Sequence, residues 1–146
     1  MLDEYRIKTR LEEMRRRVKI IEKDFKPLDE ISFVSNENDY SACEHHLQIA
    51  IQCCIDISNY LIARLGMERP KKESSEGFII LAKEGILPKD FAEKISKMTG
   101  YRNIIVHEYM DVDRHDTYVN IQKNLGDFAE FAKYIEEFVQ KHSSSS

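Results

Sequence analysis

Ile7, Leu11, Met14, Val18, Ile21 and Phe25 follow one another at alternating steps of four and three residues. On a helix of 3.6 residues per turn that spacing draws a single apolar seam. It predicts a helix over residues 3–25 that needs another helix to cover the seam. Lys26-Pro27 closes it, because proline disfavours helical geometry in the residue before it. Residues 28–38 mix Asp, Ser and Asn with scattered apolar positions and hold no period, so they read as a connection. Over residues 39–65 the inward-facing set widens to Leu47, Ala50, Ile51, Cys54, Ile55, Ser58, Leu61, Ile62 and Leu65. That face is too broad for a surface helix, and this element should be central. Gly66 is placed to take the left-handed conformation that ends it.

Residues 67–72, with Pro70, read as a polar turn, and Ser74 or Ser75 can cap a short helix carrying Phe78, Ile79, Leu81 and Ala82. Gly85 terminates that helix. Pro88 stands where a first helical turn tolerates proline, and Phe91, Ile95 and Met98 then repeat the four-three spacing. Continuing the register lands on Arg102 and then Ile105. Asp113 or Asp116 can cap a last helix, with Ile121, Leu125, Phe128, Ala132, Ile135 and Val139 on one stripe and Phe131, Tyr134 and Phe138 beside it. No strand pattern persists, and there is no internal repeat or Gly-rich phosphate loop. The expected fold is all-α: an antiparallel bundle of about five helices, one domain over residues 1–142, with a disordered serine tail at 143–146.

The 146 residues are enough for a sizeable core without disulfide or metal. The longest apolar run, residues 78–82, is too short to span a bilayer, and the N-terminus lacks a signal-peptide stretch. A cytoplasmic protein with no membrane partner is expected. Cys43, Cys53 and Cys54 all fall in the second predicted helix, and their odd number and adjacency argue against a disulfide framework. They read as small buried side chains. His45 and His46 lie nearby, but two histidines and three cysteines on one helix make poor metal geometry, so no metal site is expected. A net charge of −4 excludes a general nucleic-acid binder. Residues 1–26 nevertheless carry nine Lys or Arg against six acids, either a solvated helix face or a patch that steers RNA.

The stretch that chemistry singles out is YRNIIVHEY, residues 101–109. On a helix Asn103 and His107 are one turn apart, whereas Arg102 and His107 are separated by roughly 140°, with Cα atoms about 9 Å apart. A guanidinium and an imidazole on such long reaches can still converge on one small anion. Tyr109 returns to the arginine's face if the helix extends that far. A buried unpaired arginine is prohibitively costly, so Arg102 requires a carboxylate partner or a cleft. Each residue alone has a plain structural reading: a buried ion pair for Arg102, a core-edge histidine for His107, a packing aromatic for Tyr109.

Taken together, Arg102, Asn103, His107 and Tyr109 resemble the R-x4-H-x-Y signature of HepT toxins, a branch of the HEPN family of helical ribonucleases. The segments LQIAIQCCIDISNYLIARLG and GILPKDFAEKISKMTGYRNIIVHEY also resemble the corresponding HepT helices, so the likeness covers residues from about 40 to 140. It implies a dimer that brings two motifs to one cleft. It also implies metal-independent cleavage of RNA, in which the ribose 2′-hydroxyl is the internal nucleophile. His107 would move protons, Arg102 would hold the phosphate oxygens, and Asn103 would orient the phosphate or the imidazole. No cofactor is implied.

Tyr109 has a different role in the resemblance. An MntA-type nucleotidyltransferase antitoxin transfers AMP from ATP to this tyrosine and silences the toxin, and a hetero-oligomer of the two is open to the chain. Two other classes of function compete with the enzyme: a non-catalytic nucleotide-binding or interaction subunit for a nucleotidyltransferase, and a purely structural dimeric bundle.

Overall fold

The computed structural model describes residues 2–70, 76–107 and 113–144, with backbone alone for 99–107 and 144. Seven helices form among the described residues: α1 (Glu4–Asp24), α2 (Glu30–Ser35), α3 (Glu37–Arg64), α4 (Glu76–Lys83), α5 (Lys89–His107), α6 (Arg114–Lys123) and α7 (Gly126–Ser144). Four of them start where a short polar side chain takes up a free amide. Asp3 accepts from Arg6, Asp29 from Ser32, Asn36 from Asp39 and Asp113 from His115. Gly66 and Gly85 take φ of 71° and 77°, the left-handed geometry expected at the two helix ends.

The cross-links between helices give their directions. Along α1, residues 3, 10, 14 and 17 meet Tyr60, Asp56, Cys54 and His46 of α3 in turn, so the two run antiparallel. Glu4 and Arg15 meet Ser143 and Glu136, which sets α7 antiparallel to α1 as well. Phe91 faces Tyr134 and Lys94 bonds Asp127, so α5 also opposes α7. The central element is α3, as its broad face requires: it packs against α1, α2, α4, α5 and α7. Ile7, Leu11, Met14, Val18 and Ile21 are all buried on α1, and Phe25 closes the seam. Phe78 and Phe131 meet edge to face at 5.9 Å, joining α4 to α7.

Two elements differ from the expectation. The connection read at 28–38 contains α2, a helix of six residues. It is too short to show a period, and it is held by its Asp29 cap and by Phe33, which is fully buried against Phe25, Tyr40 and Tyr118. The expected last helix is two helices, broken at Asn124 and Leu125. Ile121 and Leu125 are both buried on either side of the break, so the apolar stripe runs through it unchanged. The helix α7 reaches Ser144, two residues into the expected tail. Ser74 and Ser75, the expected cap of α4, lie outside the described residues.

Candidate functional site

Helix α5 starts just after Pro88, whose carbonyl accepts from the Ala92 amide at 2.9 Å. Phe91, Ala92, Ile95 and Met98 are buried on it, which fixes the inward direction of its first half. The helical backbone continues unbroken to His107, so Arg102, Asn103 and His107 all stand on α5. At 100° per residue Arg102 falls within about 40° of Phe91, Ile95 and Met98 in projection. The register therefore carries a cation onto the stripe that its predecessors bury. Asn103 and His107 share another edge, one turn apart. Arg102 and His107 lie about 12 and 20 Å further along the axis than Lys94. Since Lys94 already meets Asp127, near the start of α7, the motif turns extend past the level at which α7 begins. The side chains of Arg102, Asn103 and His107 lie outside the described residues, and so does Tyr109.

The chain re-enters the described structure at Asp113, and the next two residues are tightly engaged. Arg114 Nη1 donates to the Val34 carbonyl at 3.0 Å and Nη2 to the Glu37 carboxylate at 2.6 Å, while its guanidinium lies over the Tyr40 ring at 4.2 Å. His115 Nδ1 pairs with the Glu30 carboxylate, which raises the imidazole pKa above its usual value. One turn on, buried Thr117 shares a 3.0 Å hydrogen bond with the Tyr40 hydroxyl. Sequence reading passed over this cluster because its partners lie 77 to 85 residues away. No local spacing announces it.

The cationic first helix resolves differently. Lys8, Arg10, Arg15, Arg16 and Arg17 pair with Glu12, Asp56, Glu136, Glu13 and again Glu13. Hydrogen bonds from Arg16 and Arg17 push the Glu13 carboxyl down to about 2. These pairs favour a charge-balanced helix face over an open cationic groove. The three cysteines are buried free thiols, as their positions suggested. Burial pushes Cys43 up to about 12 and Cys53 up to about 11, which leaves them poor nucleophiles and poor ligands. No helix among the described residues is long and apolar enough to cross a membrane.

Comparison with known proteins places these observations. A family model described as "Ribonuclease HepT-like" matches residues 7–135. A tRNA nuclease HepT of Aphanizomenon flos-aquae is 29% identical over 133 residues, covering 91% of this chain and 89% of that protein. An mRNA nuclease HepT of Shewanella oneidensis is 30% identical over 90 residues, covering 62% of this chain and 67% of that protein. Among solved structures, a tri-AMPylated Shewanella oneidensis HEPN toxin in complex with an MNT antitoxin superposes with a TM-score of 0.83 at 26% identity, covering 94% of this chain and 99% of that one.

Proposed function

The chain belongs to the HepT-like ribonuclease family, and on that footing we propose that it is the toxin of a toxin–antitoxin pair and a metal-independent endoribonuclease. The observation that carries the reading is the unbroken helix that puts Arg102, Asn103 and His107 on the end of α5, with the arginine on an otherwise apolar stripe. Arg102 neutralises the non-bridging phosphate oxygens, which gain charge as the phosphorane forms. The ribose 2′-oxygen attacks phosphorus, the bond to the 5′-oxygen breaks, and the products carry a 2′,3′-cyclic phosphate and a 5′-hydroxyl. The 2′-hydroxyl loses a proton and the leaving oxygen gains one. His107, with an imidazole reference pKa of about 6.5, is the residue suited to that traffic near neutrality. One imidazole does both jobs poorly, so a homodimer that supplies a second His107 to a shared cleft fits the chemistry better than a monomer. Asn103 shares an edge with His107 and orients the imidazole or the phosphate.

Control follows from the same place. An MntA-like nucleotidyltransferase would direct the Tyr109 phenol oxygen onto the α-phosphorus of ATP. The α–β anhydride breaks, pyrophosphate leaves, the phenol proton goes to solvent, and the enzyme is left with a bulky anion where RNA phosphates must enter. The AMP-bearing state of the Shewanella toxin supports this assignment.

The decisive experiment is cleavage of a structured RNA panel in EDTA by protein of verified unmodified mass. His107→Ala of equal thermal stability should lose the activity, and wild-type products should end in cyclic phosphate. Strict dependence on a divalent cation, or products with 3′-hydroxyl ends, would refute the mechanism. A panel left intact by the wild type would favour the non-catalytic subunit. In a second arm, incubation with the nucleotidyltransferase and ATP should add AMP to the wild type and none to Tyr109→Phe; AMP on the variant would move the modification elsewhere.

A further inference from the structure

We infer that Arg114 is a positioning residue for the α5 motif: its grip on the α2–α3 corner fixes where the chain leaves the motif segment, and so where the end of α5 can stand. The inference rests on the ribonuclease reading of Arg102 and His107. Six residues, 108–113, separate His107 from Arg114, so the start of α6 sets one end of a short tether whose other end is the motif helix. Seven residue steps span at most about 25 Å.

The start of α6 is held with unusual directness. A single guanidinium spans three partners on two helices: the Val34 carbonyl in the last turn of α2, the Glu37 carboxylate in the first turn of α3, and the face of Tyr40 one turn further on. Asn36 is at once the C-cap of α2 and the N-cap of α3, so the arginine clamps a corner and not one helix. The Asp113 cap and the Thr117 bond to the Tyr40 hydroxyl lock the same turn from either side.

Stability alone does not account for this arrangement. The Glu37 side chain is 71% exposed, and ion pairs so open to water contribute little to folding. Buried Thr117 and Ile121 already seat α6 on the core. What the fork and stack add is direction: a planar group with two donors engaged and one face covered allows a single placement of the helix start. Catalytic groups on a helix end are sensitive to displacements of that size, since a misplacement of about 1 Å can cost on the order of a hundredfold in rate.

The test compares full-length wild type, Arg114→Ala, Arg114→Lys and His107→Ala in the EDTA cleavage assay, with thermal melts and amide exchange over residues 104–113. Arg114→Ala should keep its melting temperature within a few degrees, lose about tenfold in kcat with KM for RNA unchanged, and exchange faster over 104–113. Arg114→Lys keeps a charge near Glu37 but cannot also reach Val34 and cover Tyr40, so it should recover only part of the rate. Wild-type kcat in Arg114→Ala, a change in KM alone, or full rescue by lysine would overturn the inference. If wild type and His107→Ala are equally inactive, it is the ribonuclease reading that fails, and the exchange measurement decides the anchor by itself: unchanged exchange removes it.

Discussion

Helices α1 and α5 begin with the same apolar grammar and end differently. In α1 the four-three spacing runs through Ile7, Leu11, Met14, Val18 and Ile21 and closes on Phe25, every member buried. In α5 it runs through Phe91, Ile95 and Met98, all buried, and then delivers Arg102. The first helix is rich in cations, yet the five at Lys8, Arg10, Arg15, Arg16 and Arg17 lie beside carboxylates that balance them. In α5 the informative cation stands on the apolar stripe, where local rules argue for leucine. A residue that breaks its own helix's pattern says more about function than a crowd of charges that keeps to it.

The comparison breaks most easily at Met14. Its side chain is fully buried in α1, with the sulfur 3.4 Å from Cys54 Sγ of α3. Met14→Ala should lower unfolding free energy by about 2–5 kcal/mol in urea titration. Below the new midpoint, cleavage per folded molecule should be unchanged. A loss under about 1 kcal/mol would mean that the α1–α3 seam is not the rigid core described. Arg102→Met is the converse substitution, restoring the apolar stripe of α5. It should reduce cleavage by roughly 10²–10³-fold, the scale for removing a group that stabilises an oxyanion. Its stability should hold or rise, because a cation on a buried stripe is replaced by a thioether of similar length. A large stability loss with intact cleavage would make Arg102 a structural ion pair and erase the contrast between the two helices.

Much of this was legible before any coordinates. The seams of α1 and α5, the breadth of the α3 face and the two closing glycines are written at periods of three, four and seven, and the structure keeps them. The motif on α5 was legible because Arg102, Asn103, His107 and Tyr109 are close in sequence. Helix α2 was not, since six residues around a single anchor, Phe33, carry a cap and no period. The break at Asn124 was hidden because burial on both sides keeps the stripe in phase. The Arg114 cluster had no local sign at all, because its meaning lies in Val34, Glu37 and Tyr40, brought in by the fold.

The subtlest contrast is between two histidines that border these regions and should respond to pH in opposite senses. His46 Nδ1 lies 3.0 Å from Arg17 Nη1 and must accept from it, since a guanidinium cannot accept. That bond holds only while Nδ1 keeps its lone pair. Burial, then Arg17, His45 and Arg16, lower the His46 pKa from 6.5, with only Asp24 opposing. The unfolded chain therefore binds the proton more tightly. The stabilising contribution of neutral His46 is complete above pH 6.5 and is lost as pH falls from there towards the depressed folded value. His115 has the opposite sign: the Glu30 carboxylate raises its pKa, so its contribution is complete below 6.5 and lost as pH rises through the raised value. Glu13, held near 2, stays charged throughout this range and drops out of the comparison. Urea midpoints measured from pH 7.5 down to 5.5 should thus fall less steeply in His46→Gln, which keeps an acceptor for Arg17 but cannot take the proton, than in wild type. Identical slopes in the two proteins would mean that His46 titrates freely, and that the contact joining α1 to α3 at Arg17 does not persist in solution.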